Sequence, residues 1–341
     1  MKVVAVKESI GTVLCHDLTQ IVPDVFKGPA FRKGHIIRED DIPRLLDMGK
    51  EHLYVFEMQD GLLHENDAAR RIAAAAGGYG LFFSEPKEGK IDFVTQTSGL
   101  LKVNVAALNV INESEEIVLV TLHSNQPVRE GRIVAGTRII PLIIDETKIE
   151  RIESICASSG AVIEIKPLRT LKAGIITTGS EVFHGRIKDG FGPVVKKKLE
   201  DMECPVMQQI FVSDSVERIA GAVHRLIADG AELIVVTGGM SVDPDDVTPA
   251  GLRAAGVEVI TYGAPVLPGA MFMLGYIGKI PVMGLPGCVM YHKTTVFDLV
   301  LPRILTGERL TRADIACLAH GGLCTVCATC RYPDCSFGKG A

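Results

Sequence analysis

Three apolar stretches of strand length stop at glycine turns, and their spacing constrains what the rest of the chain can fold into. Ala173 to Thr178 runs into Gly179-Ser180-Glu181, Glu232 to Thr237 runs into Gly238-Gly239, and Ile280 to Met283 runs into Gly284-Leu285-Pro286-Gly287. Short continuous apolar runs bounded in this way read as interior strands covered on both faces. The intervening sequence supplies helices. Pro193 suits the first turn of a helix over Val194 to Met202, and Val206 to Val212 is strand-like. Asp214 with Glu217 is a capping-box pattern ahead of a helix to Ala228, and Thr248-Pro249 opens a helix that Gly256 stops. Strand and helix in alternation predict βαβ units and a parallel sheet. Met271 to Tyr276 and Lys279 to Met283 flank Ile277-Gly278 as a hairpin, so the sheet is mixed, and an apolar helix after Gly287 reaches about Arg303. In such a sheet the ligand crevice lies beyond the carboxyl ends of the strands, where glycine lets backbone N–H groups close on a phosphate.

The 341 residues exceed one ordinary core. Glycine pairs and composition divide them into an α+β domain over 1–76, a second α+β subdomain over 77–168, the α/β domain over 169–310 and a Cys-rich tail over 311–341. In the first part Val3 to Val6 and His52 to Phe56 read as strands, Asp40 or Asp41 caps a helix, and Asn66 or Asp67 opens an Ala-rich helix ended by Gly77-Gly78. In the second, Ile117 to Leu122 and Thr137 to Ile144 read as strands and Thr147 to Ser158 as a helix. His123, Asn125 and Gln126 read as a satisfied loop. A net charge of −5 leaves no basic surface, so nucleic acid is not an expected partner, and Lys196, Lys197 and Lys198 read as a solvated helix face. No apolar run is long enough for a membrane span and Met1 to Glu8 is no signal core, so the expected location is the cytoplasm.

Polar residues crowd the turns. Thr177, Thr178, Ser180, Glu181 and Asp189 follow the first strand, and Ser241, Asp243, Asp245, Asp246 and Thr248 follow the second glycine turn. Hydroxyls and N–H groups suit a phosphate, and carboxylates suit Mg²⁺, which takes one or two of them together with substrate phosphates. Glu181, Asp189 and Asp246 are the candidates for that role. Asp243 serves equally well as a turn residue. Neither a P-loop lysine pattern nor a dinucleotide fingerprint is present, which disfavours an ordinary kinase or dehydrogenase.

The phrases at 177–181, 188–193, 236–249 and 284–287 together resemble the molybdopterin-binding domain of molybdenum-cofactor biosynthesis, and the resemblance covers about 172–307. It implies a three-layer α/β fold and a molybdopterin-type small molecule as ligand. It further implies phosphate held by Thr178, Gly179, Ser180, Gly238, Gly239 and Ser241, a third wall from Pro286 and Gly287, and Mg²⁺ or molybdate-linked water at Glu181, Asp189 and Asp246. Asp245 to Pro249 is similar to the adenylyltransferase branch of the family. The hairpin, the N-terminal domains and Phe31 to Ile37 are more similar to the molybdopterin molybdenumtransferases. The latter reading implies insertion of molybdenum from molybdate, a recipient molybdoenzyme and a homo-oligomer. Its alternatives are adenylylation of molybdopterin and a non-catalytic carrier of the cofactor. Where the molybdenumtransferases have Pro-Gly-Asn-Pro-Val, this chain has Pro286-Gly287-Cys288-Val289-Met290.

Five of the nine cysteines fall in the last 25 residues. Cys324, Cys327, Cys330 and Cys335 have metal-ligand spacing, with Cys317 left over. Four soft ligands suit Zn²⁺ or a [4Fe–4S] cluster, and three cysteines at steps of three followed by a fourth near Pro333 resemble the bacterial ferredoxin arrangement, with a longer last gap.

Overall fold

A computed structural model describes residues 2–22, 26–55 and 61–340 of the chain. They fall into two compact units, one formed by 1–97, 101–122 and 129–165, the other by 98–100, 123–128 and 166–341.

The first unit is α+β with antiparallel pairing. Lys2–Ala5 pairs with His52–Val55, and Leu18–Val22 pairs with Phe26–Phe31. Phe56, expected to end a strand, lies outside the described residues. Val6, Leu14, Phe31, Ile37, Leu45 and Leu53 pack into one core beneath these ribbons. A four-stranded antiparallel sheet runs in the order Leu81–Phe83, Ile91–Thr95, Ile133–Ile139, Ile117–Thr121. Helix Glu65–Ala76 is tied to helix Glu146–Ser159 by the Arg71 guanidinium, which grips Glu153 with two nitrogens at 2.8 and 2.7 Å and reaches Glu146 with a third. Two expectations are corrected here. The Ala-rich helix begins at Glu65 and is capped by His64, whose Nδ1 accepts from the Asn66 N–H, so neither Asn66 nor Asp67 is the cap. The stretch Thr137 to Ile144 is two strands, Ile133–Ile139 and Ile143–Asp145, in different sheets.

The second unit contains β1 (Ala173–Thr178), α1 (Ser180–Phe183), α2 (Gly192–Glu200), β2 (Val206–Val212), α3 (Val216–Ala228), β3 (Leu233–Thr237), α4 (Thr248–Ala254), β4 (Glu258–Tyr262), β5 (Met273–Ile277), β6 (Ile280–Leu285), α5 (Val296–Leu305) and α6 (Arg312–Ala316). The sheet order is β2-β1-β3-β6-β5-β4. The first four strands are parallel, β5 runs antiparallel to β6, and β4 runs antiparallel to β5. Side-chain alternation covers both faces. Ile175, Val235, Leu274 and Met283 pack under Val195 and Leu199 of α2 and Val300 and Ile304 of α5. Their neighbours Ile176, Ile234, Val236 and Val282 pack under Ile219, Val223 and Leu226 of α3 and Leu252 of α4. Each such aliphatic side chain contributes about 1.5–3 kcal/mol on burial, which selects this register over a one-residue slip. The result is a three-layer α/β fold around a mixed sheet. No helix among the described residues is long and apolar enough to cross a membrane.

Three local readings shift. Ser215, not Asp214, caps α3, accepting from the Arg218 N–H. The apolar helix after the third turn starts only at Val296, behind a short 3₁₀ turn over Gly287–Met290. Lys196 and Lys197 are solvated, but Lys198 is 13% exposed and bonded to Asp298.

Candidate functional site

Register places the three glycine turns side by side. Thr177 of β1 pairs with Thr237 of β3, and Thr237 pairs with Leu285 of β6, so the strands reach the same edge in step. Gly179, Gly238-Gly239 and Pro286-Gly287 therefore leave the sheet together, at the carboxyl ends where an open α/β sheet builds its crevice.

Hydroxyls stitch the turns to one another beneath that edge. Thr178 Oγ1 donates to the Thr237 carbonyl at 3.3 Å and lies 3.1 Å from Thr248 Oγ1, all of it buried. Thr237 Oγ1 donates to Thr177 Oγ1, which also accepts from Gln209 Nε2 at 2.9 Å. The same Gln209 amide donates to Asp189 Oδ2 at 2.7 Å, and Asp189 accepts from the Phe191 and Gly192 N–H groups. A chain of hydrogen bonds thus runs from the second glycine turn to the start of α2. Asp214, at the end of β2, accepts from the Ser180 N–H at 2.7 Å and fixes the first turn from the other side. Tyr262 holds the loop after Gly239 by donating to the Met240 and Ser241 carbonyls at 2.9 and 3.3 Å. Burial, and then the charge of Asp246, push the Tyr262 phenol up, which keeps it a neutral donor.

Residues 174–306, which contain every one of these contacts, match the family model described as a probable molybdopterin binding domain. This stretch belongs to that family. Residues 3–57 match a domain of unknown function. A molybdopterin molybdenumtransferase from Haemophilus influenzae is 31% identical over 195 residues, 54% of this chain and 45% of that protein. A CinA-like protein from Mycobacterium sp. (strain JLS) is 36% identical over 90 residues, 26% of this chain and 21% of that protein. Among solved structures, the molybdopterin biosynthesis enzyme MoaB from Thermus thermophilus covers 41% of this chain and 98% of its own at 23% identity, with a TM-score of 0.33. The chain spans less than half the length of the curated relatives named here.

Within the molybdopterin-binding domain the expected site residues divide by environment. Gly179, Ser180, Gly238, Gly239, Ser241, Pro286 and Gly287 stand at the common edge, with Ser241 and Gly287 exposed. Thr178 points into the domain, its hydroxyl used between turns. Glu181 is exposed on α1, close over Gly179. Asp189 spends its oxygens on the start of α2, and Asp246 accepts from the Asp243 N–H at 3.2 Å within its own loop. Among the described residues no three His, Cys, Asp or Glu side chains stand close enough to hold an ion, so Glu181, Asp189 and Asp246 are not a ready three-carboxylate cage. Cys288 is half-buried beside the third turn, and burial pushes its thiol up. Gln209, Asp214 and Tyr262 are the positioning residues that the sequence reading missed. Asp214 and Tyr262 had placement at a strand end as their only signal, and Gln209, in mid-strand, had none. Cys324, Cys327, Cys330 and Cys335 together line a cavity of about 200 Å³, with Tyr291 to Thr294 also on its wall.

Proposed function

We propose that the crevice over the three turns binds molybdopterin, or its adenylylated form, and that the chain inserts molybdenum from molybdate in a Mg²⁺-dependent step that releases AMP. The observation that supports this reading is the in-step register Thr177, Thr237, Leu285, which aligns three glycine turns inside a stretch matching a molybdopterin binding domain. The N–H groups at Gly238, Gly239 and Ser241 would meet the phosphate, with the Ser180 hydroxyl beside them. Gly287 has open space around its Cα, which leaves room for the ligand at the third wall. The donor set fits Mg²⁺, which needs only one or two carboxylates when substrate phosphates and waters complete its shell, and Glu181 and Asp246 are the two to supply them. Bound Mg²⁺ would supply charge against the phosphoanhydride oxygens. The chain's own residues orient: Asp189 and Gln209 fix the first loop, and Tyr262 fixes the loop bearing Asp246. A recipient molybdoenzyme and a homo-oligomeric assembly belong to the same proposal.

The test incubates the anaerobically purified full chain with adenylylated molybdopterin, Mg²⁺ and molybdate. AMP release with molybdenum bound to the pterin is expected, and Asp246→Ala should slow turnover about a hundredfold while melting close to the wild type. Tight pterin binding without AMP release would make the chain a carrier. Pyrophosphate released from ATP with molybdopterin itself would make it an adenylyltransferase.

A further inference from the structure

None of the residues that line the tail cavity belongs to the three glycine turns. Its floor is clamped to the domain: the Leu267 N–H donates to the Gly322 carbonyl at 2.8 Å, and the Cys324 N–H donates to the Leu267 carbonyl at 2.8 Å. Phe337 is 3% exposed in the domain core, and the Tyr332 hydroxyl donates to the Asp298 carbonyl at 3.1 Å. Twenty residues with so little regular structure are thereby held in one shape. What they shape is a hollow of about 200 Å³ whose wall carries all four cysteines and residues 291–294, just past the third turn.

The sulfurs are served as ligands are. The Val326 N–H donates to Cys324 Sγ at 3.4 Å, from a residue held at φ +49°, a left-handed conformation that a β-branched side chain rarely adopts. Thr325 Oγ1 lies 3.3 Å from Cys327 Sγ, and Thr294 Oγ1 lies 3.3 Å from Cys330 Sγ. Both hydroxyls become donors once the sulfurs are thiolates. Lys293 and Arg331 also line the hollow and would offset part of the thiolate charge. All four cysteines are free of disulfides.

We propose that Cys324, Cys327, Cys330 and Cys335 ligate a [4Fe–4S] cluster in this cavity. The spacing favours a cluster over a single Zn²⁺: three of the cysteines follow one another at steps of three, the spacing by which one segment wraps a cluster. All four cysteines also line one hollow, which offers an interior for iron and sulfide. On ligation each thiol gives its proton to solvent and forms one S–Fe bond, and an equal mix of ferrous and ferric iron with sulfide supplies the core.

The full chain is purified anaerobically, and a portion is reconstituted with ferrous and ferric iron and sulfide. Analysis should find about four iron and four sulfide per chain, with visible absorption that dithionite bleaches. Cys327→Ser and Cys330→Ser should each lose most of the iron, whereas Cys317→Ser, at an exposed cysteine outside the cavity, should keep it. Thr294→Val leaves every ligand in place. It should retain the iron but shift the reduction potential negative, because the hydroxyl bond to Cys330 Sγ favours the more negative reduced cluster. Zinc at one per chain without sulfide would overturn the proposal, as would chains that take up no iron on reconstitution or iron retained in the Cys327→Ser, Cys330→Ser double variant. None of these readouts depends on molybdopterin, so the failure of this proposal and of the one above are distinguishable.

Discussion

Gly238 sits at φ +87°, and a Cβ placed on it would stand 2.3 Å from the Thr178 carbonyl oxygen. The glycine is thus required by the contact between two turns, with or without a ligand. Gly238→Ala should cost about 2–4 kcal/mol, combining left-handed strain with overpacking, and urea unfolding would measure it. Gly287→Ala is the contrast. Nothing lies within 4 Å of its added Cβ, so stability should hold while pterin affinity falls if the ligand fills that space. An affinity unchanged in Gly287→Ala would remove that residue from the wall. The turns themselves were legible in the sequence, because glycine after an apolar run has few other uses. The residues that fix them were not. Asp214 reaches Ser180 across 34 positions and Gln209 reaches Asp189 across 20, and no local pattern encodes a contact that only the strand order creates.

Element boundaries show the same division between local signal and tertiary competition. Thr295-x-x-Asp298 is a capping-box pattern of the type read at Asp214, and it is where α5 begins: the Thr295 N–H donates to Asp298 Oδ2 at 2.7 Å. The apolar run behind Gly287 masked it. At Asp214 the pattern misled by one residue, because the carboxylate is drawn to the first glycine turn and Ser215 takes over the cap. The alternation of strand and helix, and hence a parallel sheet, followed directly from period and turn spacing, whereas the three layers were what the family resemblance implied. The pairing of α2 with α5 did not. Lys198 of α2 places Nζ 2.5 Å from Asp298 Oδ1, with the two side chains only 13% and 17% exposed. Asp298→Ala removes the reciprocal half of the capping box and leaves a shielded ammonium without its carboxylate, so it should cost about 3–5 kcal/mol. Lys198→Met in the same chain should recover part of that loss. A double-mutant cycle in urea checks it, and strict additivity of the two would show that the pair contributes nothing.

Over the whole molecule, charged and buried groups bound the pH range in which the fold is stable. Burial alone would raise the Asp314 carboxyl, but the Thr311 hydroxyl and N–H, together with the Arg303 guanidinium at 2.8 Å, more than offset it and hold it at about 2, against an ordinary value of 3.8. A depressed carboxyl stabilises the fold above its unfolded value. That contribution is present above pH 3.8 and is lost as pH falls to about 2. On the alkaline side burial pushes the Cys15, Cys156 and Cys204 thiols above their ordinary value of 9.0. These thiols keep their protons in the fold after the unfolded chain has released them, so stability falls as pH rises past 9.0. Urea midpoints taken across pH should therefore show a plateau with two falling limbs. Asp314→Asn should flatten the acid limb and leave the alkaline one, and Cys204→Ala should reduce only the alkaline slope. An acid limb unchanged in Asp314→Asn would mean that other carboxylates set it and that the Arg303, Thr311, Asp314 cluster contributes little.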